Sequence, residues 1–263
     1  MLRFFRKIRQ NLLENGNVRT YFWYALGEVF LVVIGILIAL QINNWNIERI
    51  ERKEETAALN NLKSDYLEAI DELKYLNGLR TKMLSATDEL LTKRSLLITD
   101  PHRIDSLLSE LNTNPTFNNQ SGSLDVLINS GGIDLIQDDS LKRMLLKWPG
   151  TVEDMVEGEL DQKHLNENFY KPLIRTYVSE SRIINVIKNR GIESRISQQN
   201  TSLPFLIRET DFEPDYEGLF NNLQLENILN SREGFLFASH TETNVLIETA
   251  EEIIERINQI IED

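Results

Sequence analysis

Glu28 is the residue whose setting most invites chemistry, because it is a carboxylate inside the apolar stretch 21–46, YFWYALGEVFLVVIGILIALQINNWN. A charge at the centre of a bilayer costs about 2.5–3.5 kcal/mol on insertion scales, and less when it lies one turn from the interface. Such a group persists by protonation, by reaching toward water and Arg19, or by lining an ion or proton path between copies of the span. On a helix advancing about 100° per residue, Gly35 and Ala39 fall about 20° to either side of Glu28, and Asn46 falls in line with it. Gly35 and Ala39 form a small-x-x-x-small pair, which lets a second helix approach and gives the carboxylate a partner out of lipid. The stripe Glu28, Gly35, Ala39 and Asn46 is therefore the candidate helix-packing face in the membrane.

Elsewhere the residues that do chemistry are thin. His102, His164 and His240 lie far apart and at no metal-ligand spacing from one another. His240 with Glu242 comes nearest to a site, but two positions on a helix diverge by about 200°, so a solvated histidine is the simpler reading. Ser130-Gly131-Gly132 has the form of a helix stop rather than a phosphate cradle. Glu251, Glu252, Glu255 and Glu262 suit a solvated helical face. No catalytic residue, cofactor or metal ligand is assigned, and an enzyme is not the expectation.

The stretch that carries Glu28 sets the cellular address. Residues 29–40 are an unbroken apolar run of twelve, about 18 Å of helix against a hydrocarbon core of about 30 Å. Interface aromatics extend it: Tyr21, Trp23 and Tyr24 at one end and Trp45 at the other, with Trp23 to Trp45 spanning about 33 Å. A small-x-small cleavage site is missing, which favours a retained anchor over a cleaved signal peptide. Residues before Glu28 carry a net charge of +4 and the remainder −17. The positive-inside rule then places residues 1–20 in the cytoplasm, the helix over 21–45, and residues 46–263 outside. Phe5, Ile8 and Leu12 among basic residues suggest an interfacial amphipathic helix, or else a disordered basic tail.

The outer part has no cysteine, so neither disulfides nor Cys-ligated metal support it, and the net charge of −13 argues against nucleic acid as a partner. Leu62, Tyr66, Ala69, Leu73, Leu76, Met83 and Leu90 mark a helical seam that continues the span outward, with Arg80 and Thr87 as local breaks or partner contacts. Leu246, Ala250, Ile253, Ile257 and Ile260 give a second seam over 243–263, an expected antiparallel partner for the first. Between them, short helices are expected at 101–112 and 123–129. A longer one comes next, capped at Asp139 or Ser140, with Leu141, Leu145, Trp148, Val152 and Met155 on one face and a kink at Pro149. A helix near 182–189, a loop over 198–217 and a helix over 219–229 complete the reading, and no sheet is expected. The sequons at Asn119 and Asn200 mark surface loops. The class is all-α: an N-terminal transmembrane helix continuing into a long helix, with an elongated extracytoplasmic helical bundle.

The segments FFRKIRQ (4–10), YALGEV (24–29) and LVVIGILIALQINNW (31–45) resemble a family of membrane proteins from Bacteroidota, the domain of unknown function 6090. The stretch 124–136, with its Asn129-Ser130-Gly131-Gly132 turn, resembles it more loosely. The resemblance implies a single-pass inner-membrane protein with a periplasmic helical domain, and it implies no activity, ligand or catalytic residue. Its expected partners are the lipid bilayer and a second copy or another membrane protein. The expected role is an interaction, scaffold or sensor module, with a membrane assembly conducting past Glu28 as the alternative.

Overall fold

The computed structural model describes residues 18–119, 122–190 and 209–262, and all regular structure among them is helical. The expected N-terminal amphipathic segment, most of the loop over 198–217 and the sequon at Asn200 lie outside the described residues. The chain divides into two compact units, one ending at Ala57 and the other covering Ala58–Asp263.

Helix α1, Val18–Thr92, is uninterrupted, as the absence of proline through its whole length permits. Its part in the first unit supplies the one helix among the described residues that is long and apolar enough to cross a membrane, and none of that apolar window is buried. Exposed apolar side chains run through it from Phe22 to Trp45. A helix apolar all round, and covered by no described residue, fits lipid as its solvent.

The second unit is built from the rest of α1 and from the helices after it. These are α2 (Arg94–Leu97), α3 (Pro101–Glu110), α4 (Gly122–Ser130), α5 (Asp139–Leu165), α6 (Lys171–Tyr177), α7 (Glu180–Arg190), α8 (Tyr216–Phe220) and α9 (Leu223–Glu262). Asp100 caps α3, its carboxylate accepting from the Arg103 amide at 3.1 Å with Pro101 in the first turn. Gly131 stops α4 by taking φ +74°, a left-handed conformation open to glycine at little cost. Helix α5 runs through Pro149 and joins α6 by a π-helical turn, Asn166–Tyr170.

Three boundaries differ from the sequence expectation. The cap of α5 is Asp138, one residue earlier than expected, with Oδ1 accepting from the Leu141 amide at 2.7 Å. Tyr216–Phe220 is helical where a loop was expected to reach Glu217, because Asp215 caps it through the Gly218 amide. The helix expected over 219–229 breaks at Asn221 and Asn222, and beyond the break a single forty-residue helix absorbs the 243–263 seam. Asn222 Oδ1 accepts from the Gln224 amide at 2.8 Å and so caps that new start.

Helices α1 and α9 run antiparallel, as the ties Lys74–Glu251 and Arg80–Thr243 show: advancing along one means retreating along the other. Their seams bury two apolar cores. One joins Leu59, Leu62, Tyr66, Leu73 and Leu76 to Trp148, Met155, Leu246, Ala250 and Ile257. The other joins Met83, Leu90 and Leu97 to Ile104, Tyr170, Leu225 and Leu236. Between them each of the three long helices turns polar.

Asp138 also binds Arg256 on α9, Nε lying 3.1 Å from Oδ2, and this ion pair holds its carboxyl below the usual range, helped by the Leu141 amide. A depressed carboxyl contributes stability above its unfolded pKa and loses it as pH falls through the native value. Asp138→Ala is therefore expected to cost about 1–2 kcal/mol at pH 7. Chemical denaturation at pH 7 and pH 3 should show the penalty shrinking at the lower pH, and an equal penalty at both would refute the assignment.

Candidate functional site: the span stripe and a buried polar layer

The residues that turn polar between the two cores are Arg80 on α1, Glu159 and Gln162 on α5, and Ser239 and Thr243 on α9, all buried. Each replaces an apolar residue at a core-facing position, between Leu76 and Met83, between Met155 and Leu165, and between Leu236 and Leu246. Arg80 Nη2 pairs with Glu159 Oε1, and Arg80 Nη1 donates to Thr243 Oγ1. Glu159 Oε2 accepts from the Phe117 amide at 3.0 Å, drawing in the non-helical segment 113–119. Gln162 donates to Ser239 Oγ at 2.6 Å and to the Phe235 carbonyl at 3.2 Å.

Burial governs the electrostatics of this layer. It pushes the Glu159 carboxyl up, against the Phe117 amide and Arg80, and it pushes the Arg80 guanidinium down, against Glu159. Both partners thus move toward neutrality for the same reason, loss of water, and the pair survives through mutual attraction and the extra hydrogen bonds. Glu242, half-buried nearby, is also pushed up by burial, opposed by Arg80. Its Oε2 has no hydrogen-bond partner among the described residues.

A second polar knot lies in the other half of the unit. Asp105 on α3 accepts from Tyr216 Oη at 2.6 Å and Arg182 Nε at 3.0 Å, tying α3, α7 and α8 together. The segment 113–119 is strapped across the bundle by further side chains. Arg232 donates to the Thr113 carbonyl, Asn166 to Asn114 Oδ1, and Trp148 Nε1 to Asn119 Oδ1.

The residues expected from sequence fall into a clear pattern. Glu28, Gly35, Ala39 and Asn46 all lie on α1, so helical geometry puts them in one stripe. Glu28 is half-buried and the other three are exposed. A Cβ added at Gly35 would meet nothing within 4 Å, so that side of the helix is open to close approach. Trp23 and Trp45 are each 62% exposed, and Tyr21 and Tyr24 belong to the same helix. His102 and His164 are exposed on separate helices, while His240 and Glu242 share α9 and therefore diverge. Among the described residues no group of three or more histidines and carboxylates is placed to hold a metal ion.

Arg80 and Thr87 correct the expectation of breaks in the seam. Arg80 is wholly buried against partners in its own chain, and Thr87, also buried, turns its hydroxyl back to the Met83 carbonyl at 2.9 Å. The signal for Arg80 was its occurrence at a seam position. Its partners, however, are remote in sequence.

A comparison with protein families decides the kinship. The profile of the family of unknown function DUF6090 matches residues 28–172, more than half of the chain. The chain belongs to the DUF6090 family. No curated protein and no solved structure matches this DUF6090 member. The stretch that matches DUF6090 holds the Glu28 stripe of α1 together with Arg80 and Glu159, while Arg232 and Thr243 lie beyond it.

Proposed function

We propose that this chain is a membrane-anchored interaction or scaffold module, held by one span in the inner membrane, with its second unit in the periplasm and its basic N-terminus in the cytoplasm. The observation that carries the reading is the exposed apolar part of α1, which no described residue covers, on a protein whose other unit buries its apolar residues in cores of its own. The charge asymmetry across the span supports the orientation. The Gly35 and Ala39 pair on the Glu28 stripe supports association of the span with a second copy, since small residues permit close backbone contact.

A chain without native cysteines makes the test direct. Gly35→Cys should cross-link into a dimer in native membranes, whereas Leu37→Cys, half a turn away on the helix, should not. Equal cross-linking at both positions, or none at either, would sink the paired-span reading. A cysteine placed in the second unit should react with an impermeant thiol reagent from the outer side only. Labelling from the cytoplasmic side would reverse the orientation.

A further inference from the structure

Past Trp45, α1 continues through residues 46–57 with every side chain exposed except that of Glu55. Ile47 and Ile50 are 44% and 48% exposed on this stretch. Helices in proteins draw most of their stability from packing an apolar face, and none is packed here around these two isoleucines. Asn46, Ile50, Lys53 and Ala57 follow one another by four, three and four residues, the repeat of a coiled-coil seam. At about 100° per residue they fall within about 60° of one another and of Gly35 and Ala39.

The flanks of this seam carry charges that their helical neighbours leave unmatched. Three and four positions to either side of Arg49 stand Trp45, Asn46, Arg52 and Lys53, none of them a carboxylate. Around Glu54 the same positions hold Ile50, Glu51, Ala57 and Ala58, none of them a cation. Glu48, on the far side of the helix, does have Arg52 four residues on, the ordinary arrangement of a solvated face. Placing Ile50 and Ala57 at a, with Asn46 and Lys53 at d, puts Arg49 at g and Glu54 at the following e. Those two positions meet across a parallel two-stranded coiled coil. An identical copy thus supplies the charge that each residue lacks, and two-fold symmetry makes the contact twice.

We propose that residues 46–57 pair in parallel with the same residues of a second copy, as a short two-stranded coiled coil carrying Arg49–Glu54 ion pairs between the chains. The inference rests on the membrane reading above, which gives both copies one direction. To the paired span it adds a contact in water that sets register and selects an identical partner.

The test uses the full chain in native membranes, with two differently tagged copies expressed together. Ile50→Cys should cross-link the copies, and Glu48→Cys, on the opposite side of the helix, should not. In the Ile50→Cys background, Arg49→Glu and Glu54→Arg should each weaken their own homodimer about tenfold. Expressed together, those two variants should favour the mixed dimer by about tenfold, because only the mixed pair restores both opposite-charge contacts. Equal cross-linking at Ile50→Cys and Glu48→Cys, none at either, or random mixing of the two charge variants overturns the proposal. Gly35→Cys separates it from the paired-span reading. Cross-linking at Gly35 with none at Ile50 keeps that reading and refutes the coiled coil, and cross-linking at Ile50 with none at Gly35 does the reverse.

Discussion

Glu159→Leu is expected to destabilise the folded chain by about 3–5 kcal/mol, because it strands the Arg80 guanidinium, wholly buried, without its counterion. The Phe117 amide loses its acceptor in the same variant, which adds to the penalty. Arg80→Met should cost a similar amount by leaving the carboxylate alone. The double variant Arg80→Met with Glu159→Leu should recover most of the loss, since well-packed apolar residues often equal or exceed a buried ion pair in stability. Urea unfolding of all four chains in micelles, read by circular dichroism, closes the cycle, and a coupling below about 0.5 kcal/mol would show the pair to be incidental. The pH dependence has a definite sign. Burial raises the Glu159 carboxyl above its unfolded value, so the native state holds that proton more tightly. This contribution is fully present below the unfolded pKa and is lost as pH rises through the native one. It therefore opposes the contribution of Asp138, whose carboxyl is depressed.

Trp148→Ala is the second large effect, expected at about 3–5 kcal/mol. The indole is 1% exposed, stands edge-on to Tyr66 with ring centroids 4.9 Å apart, and reaches Asn119 Oδ1 through Nε1 at 3.4 Å. Trp148→Phe separates the parts. It keeps a ring against Tyr66 but removes the donor, so a cost of about 1–2 kcal/mol is expected, together with faster amide exchange around Asn119. If the two variants cost the same, ring packing is not what the site depends on.

How far the sequence alone reaches is clearest at these same residues. Trp148 was legible because Leu141, Leu145, Val152 and Met155 repeat at helical spacing around it, and all five are buried. Its partner Tyr66 was legible for the same reason on α1. Arg80 was not, since a charge in an apolar seam looks like an interruption until its partners are seen. Glu159 lies 79 residues away and Thr243 lies 163 away, beyond any window that periodicity can use. The sequence pattern divides α9 in two because Arg232, Ser239 and Thr243 place polar groups on its core face, and the partners that make them tolerable come from other helices. The long apolar stretch of α1 needed no partner to be legible. Its length, aromatic ends and flanking charge are all local, as is the Glu28 stripe, a matter of angle along one helix.

The antiparallel seam of α1 and α9 has a consequence for biosynthesis. Lys74 meets Glu251, a separation of 177 residues, so the core face of α1 is made long before its complement on α9 exists. At about 5–20 residues per second the interval between the two is roughly 10–35 s. Throughout that time the apolar seam of α1 has only the nascent helices α2 to α8 to cover it, and completion of the bundle is among the final events of synthesis. A ribosome stalled before α9 should therefore leave a chain that binds chaperones and is cut readily by protease. The burden of exposed apolar surface falls on the interval before the chain is finished.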